Sequence, residues 1–222
     1  MKKYLLALAL TITFSSFVAK GQNIKAFVTL GGNLSQIDGD EVYGFKKLGF
    51  TGSIGAMIPI SKENWWVSVE TKFAQYGAYE RSYPYHYDAT LPYIEIPLLI
   101  HFEDYIGGWT FGLGASYGRL MKYNEISAWD ATGVTTAITD AVKTEYNKND
   151  ISFVADIRFK IWKNLKFNFR YQYSLVPIKK DWTFTYLKES WNNDAYNNIL
   201  SGRLIWVIND KDTTKKKHRK KR

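Results

Sequence analysis

Hydrophobic and polar residues alternate one by one along most of this chain, in segments of ten residues or more. Over 65–76, one parity reads Trp65, Val67, Val69, Thr71, Phe73, and the other Trp66, Ser68, Glu70, Lys72, Ala74, Tyr76. The same division recurs at 94–103, where Ile94, Ile96, Leu98, Ile100 and Phe102 oppose Glu95, Pro97, Leu99, His101 and Glu103. It recurs at 151–162, with Ile151, Phe153, Ala155, Ile157, Phe159 and Ile161 against Asp156, Arg158 and Lys160, and at 165–175, with Leu165, Phe167, Phe169, Tyr171 and Tyr173 against Lys166, Asn168, Arg170 and Gln172. At 48–60 and 109–118 the second face is small rather than charged, as in Gly112, Gly114, Ser116 and Gly118. Two weaker segments, 24–35 and 197–208, bring the set to eight. A period of two is the signature of a strand with one apolar face, and ten residues is the length a tilted strand needs to cross a bilayer.

The connections have a rhythm of their own. Long polar segments lie around 36–44, 77–91, 122–148 and 178–195, and short links at 61–64, 103–108 and 162–164. Long loops at one end, tight turns at the other and both termini on the turn side form the pattern of an outer-membrane barrel. A soluble sandwich or lipocalin-like barrel also alternates, and parity does not say which face points inward. Strand length, the loop rhythm and aromatics near strand ends (Trp65, Trp109, Tyr171, Tyr173, Trp206) favour the membrane. The expected fold is all-β: an eight-stranded antiparallel transmembrane β-barrel over 22–208.

A barrel of eight strands is filled by its own side chains. The set predicted to face the lumen comprises Glu70, Lys72, Glu95, Glu103, Asp156, Arg158, Lys160, Lys166, Arg170 and Arg203. Both signs are present, so the expectation is a charge network that holds the barrel shut, since unpaired buried charges are costly. A gated path or proton relay is the sharper alternative, and a small passive pore is disfavoured by the strand number.

Charge changes the picture only at the ends. The net charge is +9, but three of the 30 basic residues lie before residue 21 and seven lie in Lys215–Arg222, which leaves twenty against 21 acidic residues between. Residues 1–21, with Lys2, Lys3, an apolar run from Leu5 to Val18 and small Ala19 and Gly21, read as a secretory signal peptide. The chain has no cysteine, so an exported mature protein has no disulfides to replace a core or a membrane. Export sets aside nucleic acid as the partner of the basic tail, 209–222. With both termini on the turn side, Lys215, Lys216, Lys217, Arg219, Lys220, Lys221 and Arg222 are expected in the periplasm, where two readings stand open: an inert, solubilising tail, or an electrostatic contact with a periplasmic or outer-membrane protein partner or envelope polymer. Outer-membrane lipid is the other expected partner.

Catalytic patterns are weak. GASYG, 114–118, has the spacing of a nucleophile elbow around Ser116, but it lies inside an alternating strand instead of a strand-to-helix turn. His86, His101 and His218 lack metal-ligand spacing. No catalytic residue, metal or cofactor is therefore expected, and a lipid-modifying enzyme using Ser116 with His101 is the alternative of a different class.

The stretch GGNLSQIDGDEVYGFKKLGFTGSIGA, at 31–56, resembles the N-terminal hairpin of PorT-type outer-membrane barrels of Bacteroidota, with its Gln36-Ile37-Asp38-Gly39-Asp40 loop. YIEIPLLIHF is similar to that family's Tyr-Ile/Leu-Glu-Ile/Val-Pro-Leu strand, here with Glu95 and Pro97, and GLGASYGRLM to its fifth strand. The resemblance spans about residues 24–125 and implies the same barrel fold. It implies an envelope role near type IX secretion or gliding machinery and carries over no catalytic residue. The basic tail departs from the family pattern.

Overall fold

The computed structural model describes residues 24–40, 42–60, 64–82, 85–104, 106–129, 136–137, 145–186 and 189–208. The signal segment and the basic tail, including His218, lie outside them. The elements are β1 (Lys25–Asp38), β2 (Lys47–Pro59), β3 (Trp65–Ser82), β4 (Tyr85–Asp104), β5 (Trp109–Leu120), β6 (Asn124–Trp129), β7 (Thr136–Ala137), β8 (Asn149–Lys160), β9 (Leu165–Ser174), β10 (Lys179–Tyr186) and β11 (Glu189–Val207). Strands β1, β2, β3, β4, β5, β8, β9 and β11 pair antiparallel in a ring, which the β3–β4 and β1–β11 ladders close. Closure leaves no open edge in this ring, as a bilayer demands of backbone amides and carbonyls.

Which face points inward is decided by exposure. Leu30 (63%), Ile54 (64%), Leu98 (56%) and Leu113 (59%) lie on the outside, whereas Glu70, Lys72, Glu95 and Arg203 are each 1% exposed. A soluble fold does the reverse. The apolar faces form one outward belt, and at the turn end neighbouring strands ring it with aromatics. Trp65 stacks edge-on against Phe102 at 5.2 Å, Trp109 tilts on Phe159 at 5.5 Å and Phe159 on Phe167 at 5.2 Å. Trp206 continues the row on β11. Amphipathic rings at this level belong to a membrane–water interface.

The tight turns are set by local chemistry. In the β4–β5 turn, the Asp104 carboxylate accepts from the backbone amides of Ile106 and Gly107, both at 3.0 Å, and Gly108 takes φ +73°, a left-handed conformation suited to glycine.

The long segments differ from their expected character. Instead of loops, 77–91 is mostly strand: β3 runs on to Ser82 and β4 begins at Tyr85. Likewise β10 and the start of β11 form a hairpin within 178–195, and β6 adds to β4 within 122–148. The reason is an inversion of polarity. Above the belt the inward residues become Tyr76, Ala78, Tyr87, Ala89, Leu91 and Tyr93, all buried, while Asp88 and Thr90 turn outward. The period of two persists, but its apolar phase changes sides. Lys46–Glu80 and Lys47–Asp88 ion pairs tie the β1–β2 connection to this extended hairpin.

Candidate functional site: the closed lumen

The interior is layered along the barrel axis. At the turn end Glu103 bridges two lysines, Lys25 at 2.9 Å and Lys166 at 2.6 Å, and the Lys25 ammonium lies 4.5 Å from the Trp66 ring centre. Phe27, Met57, Trp66, Ile205 and Val207 pack an apolar layer across the lumen just above. The charged middle follows. Glu70 accepts from Arg170 on one carboxylate oxygen and, on the other, from Arg203 at 3.1 Å and Ser53 at 2.8 Å. Asp156 Oδ2 accepts from Arg170 at 2.8 Å and Arg158 at 3.1 Å, and Arg203 Nε donates to Asn168 at 2.8 Å.

One step higher, Lys72 pairs with Glu95 at 2.6 Å and donates to Tyr76 and Gln172, both at 2.8 Å. Asp150 collects Ser174 at 2.9 Å, Ser152 at 3.1 Å and Asn197 at 3.3 Å. Over these lies the second apolar layer, with Ile37, Val42, Tyr76, Leu91, Tyr93, Ile178 and Ile199 among its members. The lumen is thus a paired charge layer held between two apolar ones.

Glu70, Lys72, Glu95, Glu103, Asp156, Arg158, Lys166, Arg170 and Arg203 are brought together inside. Lys160 is not. It shares the inward parity and lies opposite Lys166, but it is the last residue of β8, at the open rim, and its side chain is exposed. The room left by glycines on β5 is taken by long neighbours. A Cβ at Gly112 would stand 2.4 Å from His101 Nδ1 and 2.5 Å from Asp156 Oδ1, and one at Gly118 would stand 3.3 Å from both Glu95 and Tyr93 side-chain carbons.

Ser116 and His101 are not partners. In the β4–β5 ladder Ser116 lies opposite Pro97 and His101 opposite Gly112, a separation of four residues, about 13 Å along the strand. Ser116 donates instead toward Glu95 at 3.5 Å. The serine that His101 meets is Ser68, with 2.7 Å between Oγ and Nε2, while Arg158 Nη2 lies 3.2 Å from the same nitrogen. Arginine can only donate, so Nε2 accepts and the ring proton sits on Nδ1, 3.5 Å from Asp156 Oδ1. Ser68 and His101 thus form a hydrogen-bonded pair with Asp156 beside it, its Oδ1 making no hydrogen bond to Nδ1, and the sequence did not suggest this grouping because β3, β4 and β8 supply one member each. The grouping has no outlet: Ser68 and His101 are fully buried, which gives a substrate carbonyl no approach. Among the described residues no group of His, Asp and Glu has metal-site geometry, and His86 packs edge-on against Tyr79 at 6.0 Å.

Above the belt, Tyr87 donates to Glu125 at 3.0 Å, and Lys179 reaches the same carboxylate at 3.4 Å while lying 4.6 Å from the Tyr146 ring centre. Burial pushes the Tyr87 and Tyr146 hydroxyls well above the usual phenol range, and burial lowers Lys179 against the opposing pull of Glu125. Both effects fit a desolvated cap over the charge layer.

The sequence that folds into this ring, greasy outside and charged inside, matches the family of the outer membrane protein β-barrel domain over residues 5–202. The chain belongs to that family. This outer-membrane barrel is also similar in architecture to Neisserial surface protein A, with 14% identity over 82% of this chain and 96% of that one, at a TM-score of 0.45. The attachment invasion locus protein Ail of Yersinia pestis, solved with the heparin analogue sucrose octasulfate, is 12% identical over 83% of this chain and 99% of that one, also at 0.45. No curated protein sequence matches the chain.

Proposed function

We propose that this outer-membrane barrel is a non-enzymatic component of the cell envelope, an accessory of a type IX-like secretion or gliding machinery that works through its surfaces and ends. The observation that carries this reading is the closed lumen, in which the ion pairs of Glu70, Asp156, Arg170 and Arg203 lie between two apolar layers. Such a filling supports neither a passive pore nor a substrate channel, so the working parts are the rims, the long hairpins and the tail. The PorT-type resemblance of 31–56 and 93–102 supports the choice of machinery. In this reading the long hairpins are extracellular and both termini are periplasmic, as the short-turn end of such barrels faces the periplasm. Lys215, Lys216, Lys217, Arg219, Lys220, Lys221 and Arg222 then form a cationic contact for an acidic face of a periplasmic or outer-membrane protein.

The test is crosslinking and co-purification from isolated outer membranes, with the full chain compared to one ending at Thr214. A protein captured only when the tail is present, and lost as salt rises through physiological strength, is the expected result. Identical captures from both forms would contradict the docking role.

A further inference from the structure

On the outward face of β5, near the long-hairpin end, Arg119 follows Tyr117 on the same row, and Asn149 of β8 is its register partner. Asn149 Oδ1 accepts from both, from Arg119 Nη1 at 2.6 Å and from the Tyr117 hydroxyl at 2.9 Å. One carbonyl oxygen thereby pins a guanidinium whose other N–H groups have no acceptor among the described residues. The setting is apolar. Ile94 lies opposite Arg119 on β4 and Ile151 opposite Tyr117 on β8, both about half exposed on the lipid side, with Met121 close by.

Further positive charge lies beside it. The Lys148 carbonyl accepts from the Leu120 amide at 2.8 Å, so exposed Lys148 and Lys122 stand along the chain just beyond Arg119, in phase with inward Leu120 and not with the Arg119 row. The nearby carboxylates are mostly committed: Asp150 points inward to Ser152, Ser174 and Asn197, and Glu125 holds Lys179 and Tyr87. Glu145 is exposed and acts on Tyr123. An arginine at the upper border of a hydrocarbon belt is costly unless an anionic headgroup meets it. Its planar fork matches the paired oxygens of a phosphate better than a lysine does. A tyrosine hydroxyl at the same height is the usual companion of a headgroup.

We propose that Tyr117, Arg119 and Asn149 bind the phosphate of a phosphorylated glycolipid in the leaflet at the long-hairpin end. The orientation proposed above makes this the outer leaflet, but the site itself does not depend on it. The full-length protein is refolded into phosphatidylcholine nanodiscs containing diphosphorylated lipid A, and bound lipid is measured by native mass spectrometry. Wild type is expected to retain lipid A, with affinity lowered about tenfold or more in Arg119→Gln and less in Arg119→Lys. Asn149→Ala, which frees the arm but keeps its charge, lowers it by a smaller factor. Arg119 is exposed, so all variants should show the same heat-modifiable folded band. Equal affinity of Arg119→Gln and wild type, or equal retention of a dephosphorylated glycolipid, overturns the proposal. Inorganic phosphate held as tightly as diphosphorylated lipid A would reveal a simple ion site and overturns it as well. Orientation is read separately, by protease access to the long hairpins on intact cells, and a reversed barrel leaves the nanodisc result unchanged.

Discussion

Replacing Glu70 with alanine is expected to destabilise the barrel by about 3–5 kcal/mol, the cost of breaking a buried ion pair from one side. The substitution takes one carboxylate from two fully buried guanidinium groups, leaving Arg170 with Asp156 alone and Arg203 with only the neutral Asn168 oxygen. Water cannot replace it easily, because apolar layers lie on both sides of the charge layer. Glu70→Gln keeps the shape and two acceptor contacts, so its loss is smaller. The exposed pair supplies the contrast. Lys46 is half exposed where it meets Glu80, and Lys46→Ala is expected to cost about 1 kcal/mol or less. Reversible urea unfolding of the refolded protein in lipid vesicles, followed by tryptophan fluorescence, measures both. Equal small losses for Glu70→Ala and Lys46→Ala would mean that the charges do not hold the lumen.

Leu98→Arg addresses the other face. Leu98 lies midway along the outward row of β4, between Ile96 and Ile100, and is 56% exposed. On a soluble sheet an arginine at so exposed a position costs almost nothing. On the lipid face of a barrel, near mid-bilayer, it costs about 2–4 kcal/mol. The same vesicle titration reads the difference, and the penalty should shrink for a substitution close to an interface, as at Phe102 in the aromatic row. A neutral Leu98→Arg would contradict burial of this face in lipid.

Much of the architecture was legible because each strand repeats one simple rule. Trp65, Trp109 and Leu165 begin strands where the alternation begins, and the eight segments pair in chain order around the ring. Parity alone could not say whether charge faced in or out, and exposure settled that. Two kinds of feature stayed hidden. The first was the upper barrel, where the interior changes from Glu95 and Lys72 to Leu91, Tyr87 and Ala89; a pattern tracked by inward charge ends there although the strand does not. The second was any pairing between distant strands. Nothing local tells Arg203 that it meets Glu70, 133 residues away, or His101 that its serine is Ser68 and not Ser116. Lys160 failed for a third reason: parity fixes direction but not height, and the last residue of β8 stands at the rim.

The absence of cysteine makes one measurement especially clean. Single cysteines placed in turn at 94–102, spin-labelled and reconstituted in vesicles, report collision with oxygen, which dissolves in lipid, and with a polar nickel chelate, which does not. The even positions Ile94, Ile96, Leu98, Ile100 and Phe102 are expected to be open to oxygen and closed to the chelate, while labels at Glu95, Pro97, Leu99 and His101 meet neither. A period of two with the even positions open to the chelate would contradict an outer-membrane barrel whose greasy face is turned to lipid.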